Sequence, residues 1–222
     1  ANLLTRNISW TNASALTITQ AMRTSAAPDT ETADCIAIIV AAGSGNRAGP
    51  APHHDTTLRG SENKLEKQFW PLAGKPVLAH SVDVFRTHPR VKAVIIVTAP
   101  HNIERVRSDF DEPNCYVIAG GATRQQSVHA GLKAAADIDP AGRFVAIHDA
   151  ARPLLPPALL STMLATISDE VAGVAPALPL ADTLSCINAQ QTIDRTIDRT
   201  PIRALQTPQL FWRELITDLH KH

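Results

Sequence analysis

The sequence predicts an α/β fold: a mainly parallel, doubly wound sheet with a β-arm protruding from it. Three observations carry that prediction. Short apolar runs alternate with amphipathic stretches of helical period along residues 35–176, the pattern of successive β-α-β units. The apolar runs lack polar alternation, so both faces of those strands are covered, as in a parallel sheet. From Leu180 the period changes to two, with turn residues between, and little core is left to bury.

Taken in order, Cys35–Val40 is the first strand and runs into the small-residue loop Ala41-Ala42-Gly43-Ser44-Gly45-Asn46-Arg47. Residues 49–66 carry Pro, Gly, mixed charge and the adjacent pair His53-His54 without periodicity, and read as a solvated surface loop or lid. Val77–Arg86 follows a proline and places Val77, Leu78, Val82 and Phe85 at helical spacing. Val91–Thr98 is the second strand, Ile103–Phe110 a helix, and Cys115–Ala119 a third strand ended by Gly120-Gly121. Ser127–Ala136 is a helix with Val128, Leu132 and Ala135 on one face. Phe144–His148 is the fourth strand, Pro157–Asp169 a helix and Val171–Pro176 the fifth strand. The arm spans about residues 180–203, and its repeat IDRTIDRT leaves the pairing register open. Ala204–Phe211 returns to the body, and Trp212–Leu219 begins a helix.

Composition narrows the function. Lys+Arg and Asp+Glu are 21 each among 222 residues, so there is no net charge. That balance does not suggest a nucleic-acid binder, which normally needs a basic face. No apolar run approaches the roughly 18 residues of a membrane span. The three cysteines, Cys35, Cys115 and Cys186, are far apart and show no metal or redox spacing, as expected of reduced thiols in a cytoplasmic protein. Residues 1–33, rich in Ala, Thr, Ser and Asn, read as a disordered extension, and residues 34–222 as one domain.

In a doubly wound sheet, ligands sit beyond the carboxyl ends of the strands. The first strand delivers Gly43, Ser44, Gly45 and Arg47 there; the third delivers Gly120, Gly121 and Arg124; the fourth delivers Asp149 and Arg152. Small residues let backbone amides approach a phosphate closely. With cations and one carboxylate, the set suits a nucleoside triphosphate and a divalent metal. The first loop is neither a G-x-x-x-x-G-K-[ST] phosphate loop nor a full G-x-G-x-x-G dinucleotide fingerprint. Taken alone, it reads equally as a tight strand–helix turn.

Four segments occur in order: Ala41-Ala42-Gly43-Ser44-Gly45-x-Arg47, Lys67-Gln68-Phe69, Gly120-Gly121-x-x-Arg124-x-x-Ser127-Val128 and His148-Asp149-Ala150-Ala151-Arg152-Pro153. Thr207-Pro208-Gln209 follows them. Over roughly residues 35–219 the chain resembles the 2-C-methyl-D-erythritol 4-phosphate cytidylyltransferase family of the non-mevalonate isoprenoid pathway. The resemblance implies a Rossmann-like fold, CTP as substrate, Mg2+, and a homodimer with interlocked β-arms. It implies in-line attack by the methylerythritol phosphate oxygen on the α-phosphate of CTP, with pyrophosphate leaving.

By motif, Ala41, Ala42, Gly43, Ser44 and Gly45 would hold the triphosphate and cytidine, and Arg47 and Lys67 the pentacoordinate α-phosphate. Gly121, Ala122 and Ser127 would lie at the base and ribose, and Asp149 with Ala150 at the metal and incoming sugar phosphate. Arg152, Thr183 and Thr207 would line the sugar-phosphate side, and Arg199 on the arm would reach the partner subunit's substrate. Nucleotidyl transfer needs positioning and charge neutralisation more than covalent help. A preorganised cation at the α-phosphate supplies about 3 kcal/mol. A phosphate nucleophile is already ionised and needs no strong base.

The sequence departs from the family in three places. The loop between Arg47 and Lys67 is longer than the family norm. Ala122 stands where some members carry a carboxylate. The family pattern continues beyond the position of His222, and some members are fused to a cyclodiphosphate synthase domain. Two alternatives follow: a pentitol-phosphate (ribitol 5-phosphate) cytidylyltransferase, and an inactive nucleotide-binding or dimerising remnant.

Overall fold

The computed structural model describes residues 8–10, 15–19, 33–43 and 66–221. In chain order its strands are β1 (Ile8–Trp10), β2 (Ala15–Thr19), β3 (Cys35–Ala41), β4 (Pro71–Leu72), β5 (Lys75–Pro76), β6 (Val91–Thr98), β7 (Cys115–Ala119), β8 (Phe144–Asp149), β9 (Val171–Pro179), β10 (Leu184–Ile187), β11 (Ile193–Ile197), β12 (Arg203–Leu205) and β13 (Gln209–Trp212). The helices are α1 (Val77–Arg86), α2 (Ile103–Asp109), α3 (Arg124–Ile138), α4 (Pro157–Thr166) and α5 (Arg213–Leu219).

The main sheet has the order β1-β2-β9-β13-β8-β3-β6-β7, with β12 also on β9. The block β8-β3-β6-β7 is parallel throughout, as the unbroken apolar runs require. β3 shows why. Cys35, Ala37, Ile39 and Ala41 point to one core layer with Phe85 of α1, Val106 of α2 and Leu160, Met163 and Leu164 of α4. Ile36 and Ile38 point to the other, against Val128, Leu132 and Ala135 of α3. Period-two side-chain alternation therefore feeds two apolar layers from one continuous apolar string.

Three features differ from the sequence reading. β13 is inserted antiparallel between β8 and β9, so the fifth same-direction strand does not touch the fourth. Leu210, fully buried, anchors it. Second, α3 starts at Arg124 rather than Ser127, because Thr123 and Gln126 form a reciprocal capping box. Third, within residues 1–33, read as a disordered extension, Ile8–Trp10 and Ala15–Thr19 pair with each other and β2 pairs with β9, while residues 1–7, 11–14 and 20–32 lie outside the described residues. The reason lies in both partners: Ala15–Thr19 is rich in β-branched residues, and β9 offers it an edge ladder.

The arm is a two-stranded ladder, β10 on β11, with Leu184 opposite Ile197 and Ser185 opposite Thr196. This fixes the register of the repeat: the first IDRT pairs, and the second turns back, with the Asp198 carboxylate accepting the Thr200 amide at 2.9 Å. At the tip the Asn188 side chain accepts the amides of Gln190 and Thr192, both at 3.0 Å. Ile187 and Ile193 beside the tip are 58% and 72% exposed.

Candidate active site

The parallel strands end together, and their following turns are stapled to one another. The Ala150 amide donates to the Val40 carbonyl at 3.1 Å, joining the turn after β8 to the end of β3. Ser81 of α1 donates its hydroxyl to the Ala150 carbonyl at 3.1 Å. The Gly120 amide donates to the Thr98 carbonyl at 2.7 Å, joining the turn after β7 to the end of β6. Gly120 is needed for close approach: a Cβ there would lie 2.7 Å from both the Ala42 Cβ and the Ser127 Oγ.

At the end of β3, Ala41 is buried, Ala42 half-buried and Gly43 exposed, with no described residue within 4 Å of a Cβ built on Gly43. The Lys67–Phe69 turn is a single 3-10 turn held by Gln68. That buried amide donates to the Ala41 carbonyl at 2.9 Å, with the Gly43 carbonyl at 3.5 Å, and also meets Glu66. Exposed Lys67 is thereby fixed one residue from the group gripping the first loop. Gly121 and Ala122 are exposed at the turn before α3. Ser127 is buried; its hydroxyl accepts the Gly121 amide at 3.1 Å and donates to the Thr123 carbonyl at 3.0 Å. Its service is to shape the Gly120-Gly121 turn. Ser44, Gly45 and Arg47, with the long loop after them, lie outside the described residues.

On the opposite side stands a charged cluster. Asp149 ends β8 and is one-third exposed. Its Oδ1 accepts from Arg124 Nε at 3.2 Å and Nη2 at 3.1 Å, and its Oδ2 accepts from Arg152 Nε at 3.4 Å. Arg152 is held from its far end by Gln206 Oε1. Gln206 is itself fixed, its amide donating to the Pro176 carbonyl at 2.8 Å. The Asp149 amide donates to Thr207 Oγ1 at 3.3 Å, and Thr207 pairs with His148 Nδ1 at 3.0 Å. The structure thus brings Asp149, Ala150, Arg152 and Thr207 together.

Thr183 is exposed just before β10. Arg199 donates to the Ala181 carbonyl at the base of the arm, so within one chain its hydrogen bond lies on the arm and not in the Asp149 cluster. Gln68, Gln206 and His148 join the site without having been singled out for it. Arg124 was placed after the third strand, but its pairing with Asp149 was not foreseen. The residues Thr123-x-x-Gln126 were the available signal, since a capping box there starts the helix at Arg124.

Among the described residues no group of three or more His, Cys, Asp or Glu is placed to hold a metal. Asp149 alone fits a different role. Mg2+ commonly takes one or two carboxylates and completes its shell with substrate phosphates and water. One carboxylate, one-third exposed and flanked by two guanidinium groups, suits a metal that arrives with a triphosphate.

Residues 35–222 match the family described as IspD, 2-C-methyl-D-erythritol 4-phosphate cytidylyltransferase. This chain belongs to that family. It is 39% identical over 186 residues to the bifunctional enzyme IspD/IspF of Rhodopseudomonas palustris (strain ATCC BAA-98 / CGA009), covering 83% of this chain and 43% of that protein. The chain therefore spans less than half the length of the bifunctional relatives it matches. A solved 4-diphosphocytidyl-2C-methyl-D-erythritol synthase superposes with a TM-score of 0.65 at 27% identity, over 85% of this chain and 78% of that one. The corresponding synthase of Anaerococcus prevotii DSM 20548 shares the fold, with a TM-score of 0.67 at 24% identity over 84% of this chain and 73% of that one. The Rossmann-like reading of the sheet stands on these likenesses.

Proposed function

We propose that this chain transfers CMP from CTP to 2-C-methyl-D-erythritol 4-phosphate, releasing pyrophosphate, as a step of non-mevalonate isoprenoid synthesis. The observation that carries the reading is the convergence of Arg124 and Arg152 on Asp149, at the strand edge where Gln68 grips the loop after β3. The acceptor phosphate oxygen forms a bond to the α-phosphorus while the bond to the β-phosphate oxygen breaks. Backbone amides from Ala41 through Gly45 cradle the triphosphate, and Gly121 and Ala122 bound the base pocket that Ser127 supports. Arg47 and Lys67 neutralise the α-phosphate as its charge spreads. Arg152, Thr183 and Thr207 line the acceptor side. Mg2+, held by Asp149 and the triphosphate, would neutralise phosphate charge.

The arm completes the reading. Ile187 and Ile193 leave apolar surface beside a hairpin with little core of its own, which suits a homodimer in which Arg199 serves the partner's substrate. Sedimentation of the purified chain tests this: a dimer dissociated by Ile193→Asp supports it, and a wild-type monomer refutes it. Among the described residues no helix is long and apolar enough to cross a membrane; we place the enzyme in the cytoplasm, to be checked by cell fractionation.

The deciding experiment gives purified protein CTP, Mg2+ and either methylerythritol phosphate or ribitol 5-phosphate, and follows pyrophosphate release. Turnover with methylerythritol phosphate is expected. Turnover with ribitol 5-phosphate alone overturns the acceptor assignment. CTP binding without turnover on either acceptor overturns the enzymatic reading in favour of a nucleotide-binding remnant. Arg47→Ala and Lys67→Ala should lower kcat far more than CTP affinity; the reverse pattern refutes their transition-state role.

A further inference from the structure

His148 is completely buried on the β8 face that packs against α1, its ring centroid 5.3 Å from that of Phe85. Both ring nitrogens are nonetheless engaged. Nε2 lies 3.1 Å from the Arg152 carbonyl oxygen. A carbonyl can only accept, so Nε2 carries the proton. A neutral imidazole has one donor and one acceptor, so Nδ1 is left with its lone pair facing Thr207 Oγ1 at 3.0 Å. The Thr207 hydroxyl proton is therefore committed to His148. Its oxygen in turn accepts the Asp149 amide at 3.3 Å.

The donors form one directed chain. The Asp149 amide donates to Thr207, Thr207 to His148, and His148 to the Arg152 carbonyl. The two ends belong to the same turn, closed further by the Arg152 amide on the Asp149 carbonyl at 3.0 Å. The middle ties that turn to the segment entering β13. We propose that His148 is a positioning residue which, as the Nε2–H tautomer, fixes Thr207 and the Asp149–Arg152 turn relative to each other on the acceptor side of the site. The ring touches no reacting atom; it acts through Thr207 and the Arg152 backbone.

The kinetic part of this inference rests on the cytidylyl-transfer reading; the tautomer does not. Histidine-labelled wild-type protein, observed by long-range proton–nitrogen correlation at pH 8, should show His148 as the Nε2–H form. An Nδ1–H form overturns the proposal even if no acceptor is ever turned over.

The variants then separate positioning from bulk packing. His148→Asn places an amide near Nδ1 and keeps the Thr207 link alone; His148→Gln reaches the Nε2 position and keeps the Arg152 link alone. Thr207→Val removes the middle of the chain without touching the ring. Each should raise the KM for the sugar phosphate about tenfold, the size of one lost hydrogen bond, while the KM for CTP stays within about twofold. Combining His148→Gln with Thr207→Val should cost no more than either change alone. Equal loss for both substrates, full additivity, or unchanged acceptor KM in all three variants overturns the proposal.

Discussion

Replacing Gly120 by alanine tests whether the loops on the nucleotide side are packed at contact distance. Gly120 does not adopt a positive φ, so the cost of an alanine there is steric. Its new Cβ would lie 2.7 Å from Ala42 Cβ, 2.7 Å from Ser127 Oγ and 3.2 Å from Val97 Cγ1. Non-bonded carbons settle at about 3.5–4.0 Å, so Ala42 and Gly120 must separate by close to 1 Å. Neither close neighbour can turn aside. The Ala42 methyl moves only with its backbone, and the Ser127 hydroxyl is held by the Gly121 amide and the Thr123 carbonyl. An insertion of this kind costs about 1–3 kcal/mol.

Urea unfolding without ligand should show that loss with an unchanged slope, and calorimetry should show weaker CTP binding. Gly43→Ala is the matched control, because no described residue lies within 4 Å of a Cβ at Gly43. It should leave stability within about 0.5 kcal/mol and still weaken CTP binding, since its methyl would fill the space proposed for the triphosphate. A Gly120→Ala protein with parental stability and CTP affinity would refute the close-packed cradle.

Three further outcomes are expected. Arg90 and Asp34 form a buried pair at 2.8 Å, their side chains 12% and 9% exposed, and Arg90 also donates to the Leu164 carbonyl at 3.0 Å. Arg90→Ala should therefore destabilise by about 3–5 kcal/mol; a loss under about 1 kcal/mol in urea contradicts it. His148 titrates near 6.5 when unfolded and near 4 when folded, so the unfolded chain takes up the extra proton between those values. Its contribution is complete above pH 6.5 and is lost as pH falls toward 4, by up to about 3 kcal/mol. His88 and His220 are shifted down too, chiefly by burial, so the measure is the wild-type pH slope minus that of His148→Asn, and equal slopes refute it. Burial pushes the Cys35 thiol up to about 12 and the Cys115 thiol up to about 11. Cys35 should resist a disulfide reagent at pH 8 until the chain unfolds, and rapid native labelling would refute that.

What the sequence showed of this molecule was decided by how local each signal was. β3, β6 and β8 were readable because burial on two faces leaves a mark on every residue of the strand. Asp149 and Arg152 were readable because they immediately follow an apolar run, and such runs must end at the ligand edge. β13 was not, because a short strand becomes central only through its partners, β8 and β9, and they are distant in sequence. Gln206 and Gln68 were hidden for the same reason: each earns its place through a contact with a remote segment.

Arg124 shows the boundary most sharply. Its position after β7 is a local fact, but β7 and β8 are separated in the sheet by β6 and β3. Only because α3 crosses back over β6, β3 and β8, starting at Thr123 rather than three residues later, does its first residue reach Asp149. The carboxylate thus meets cations from two different turns. On the proposed cytidylyl-transfer reading, these ion pairs aim the carboxylate at the place where phosphate charge would be neutralised.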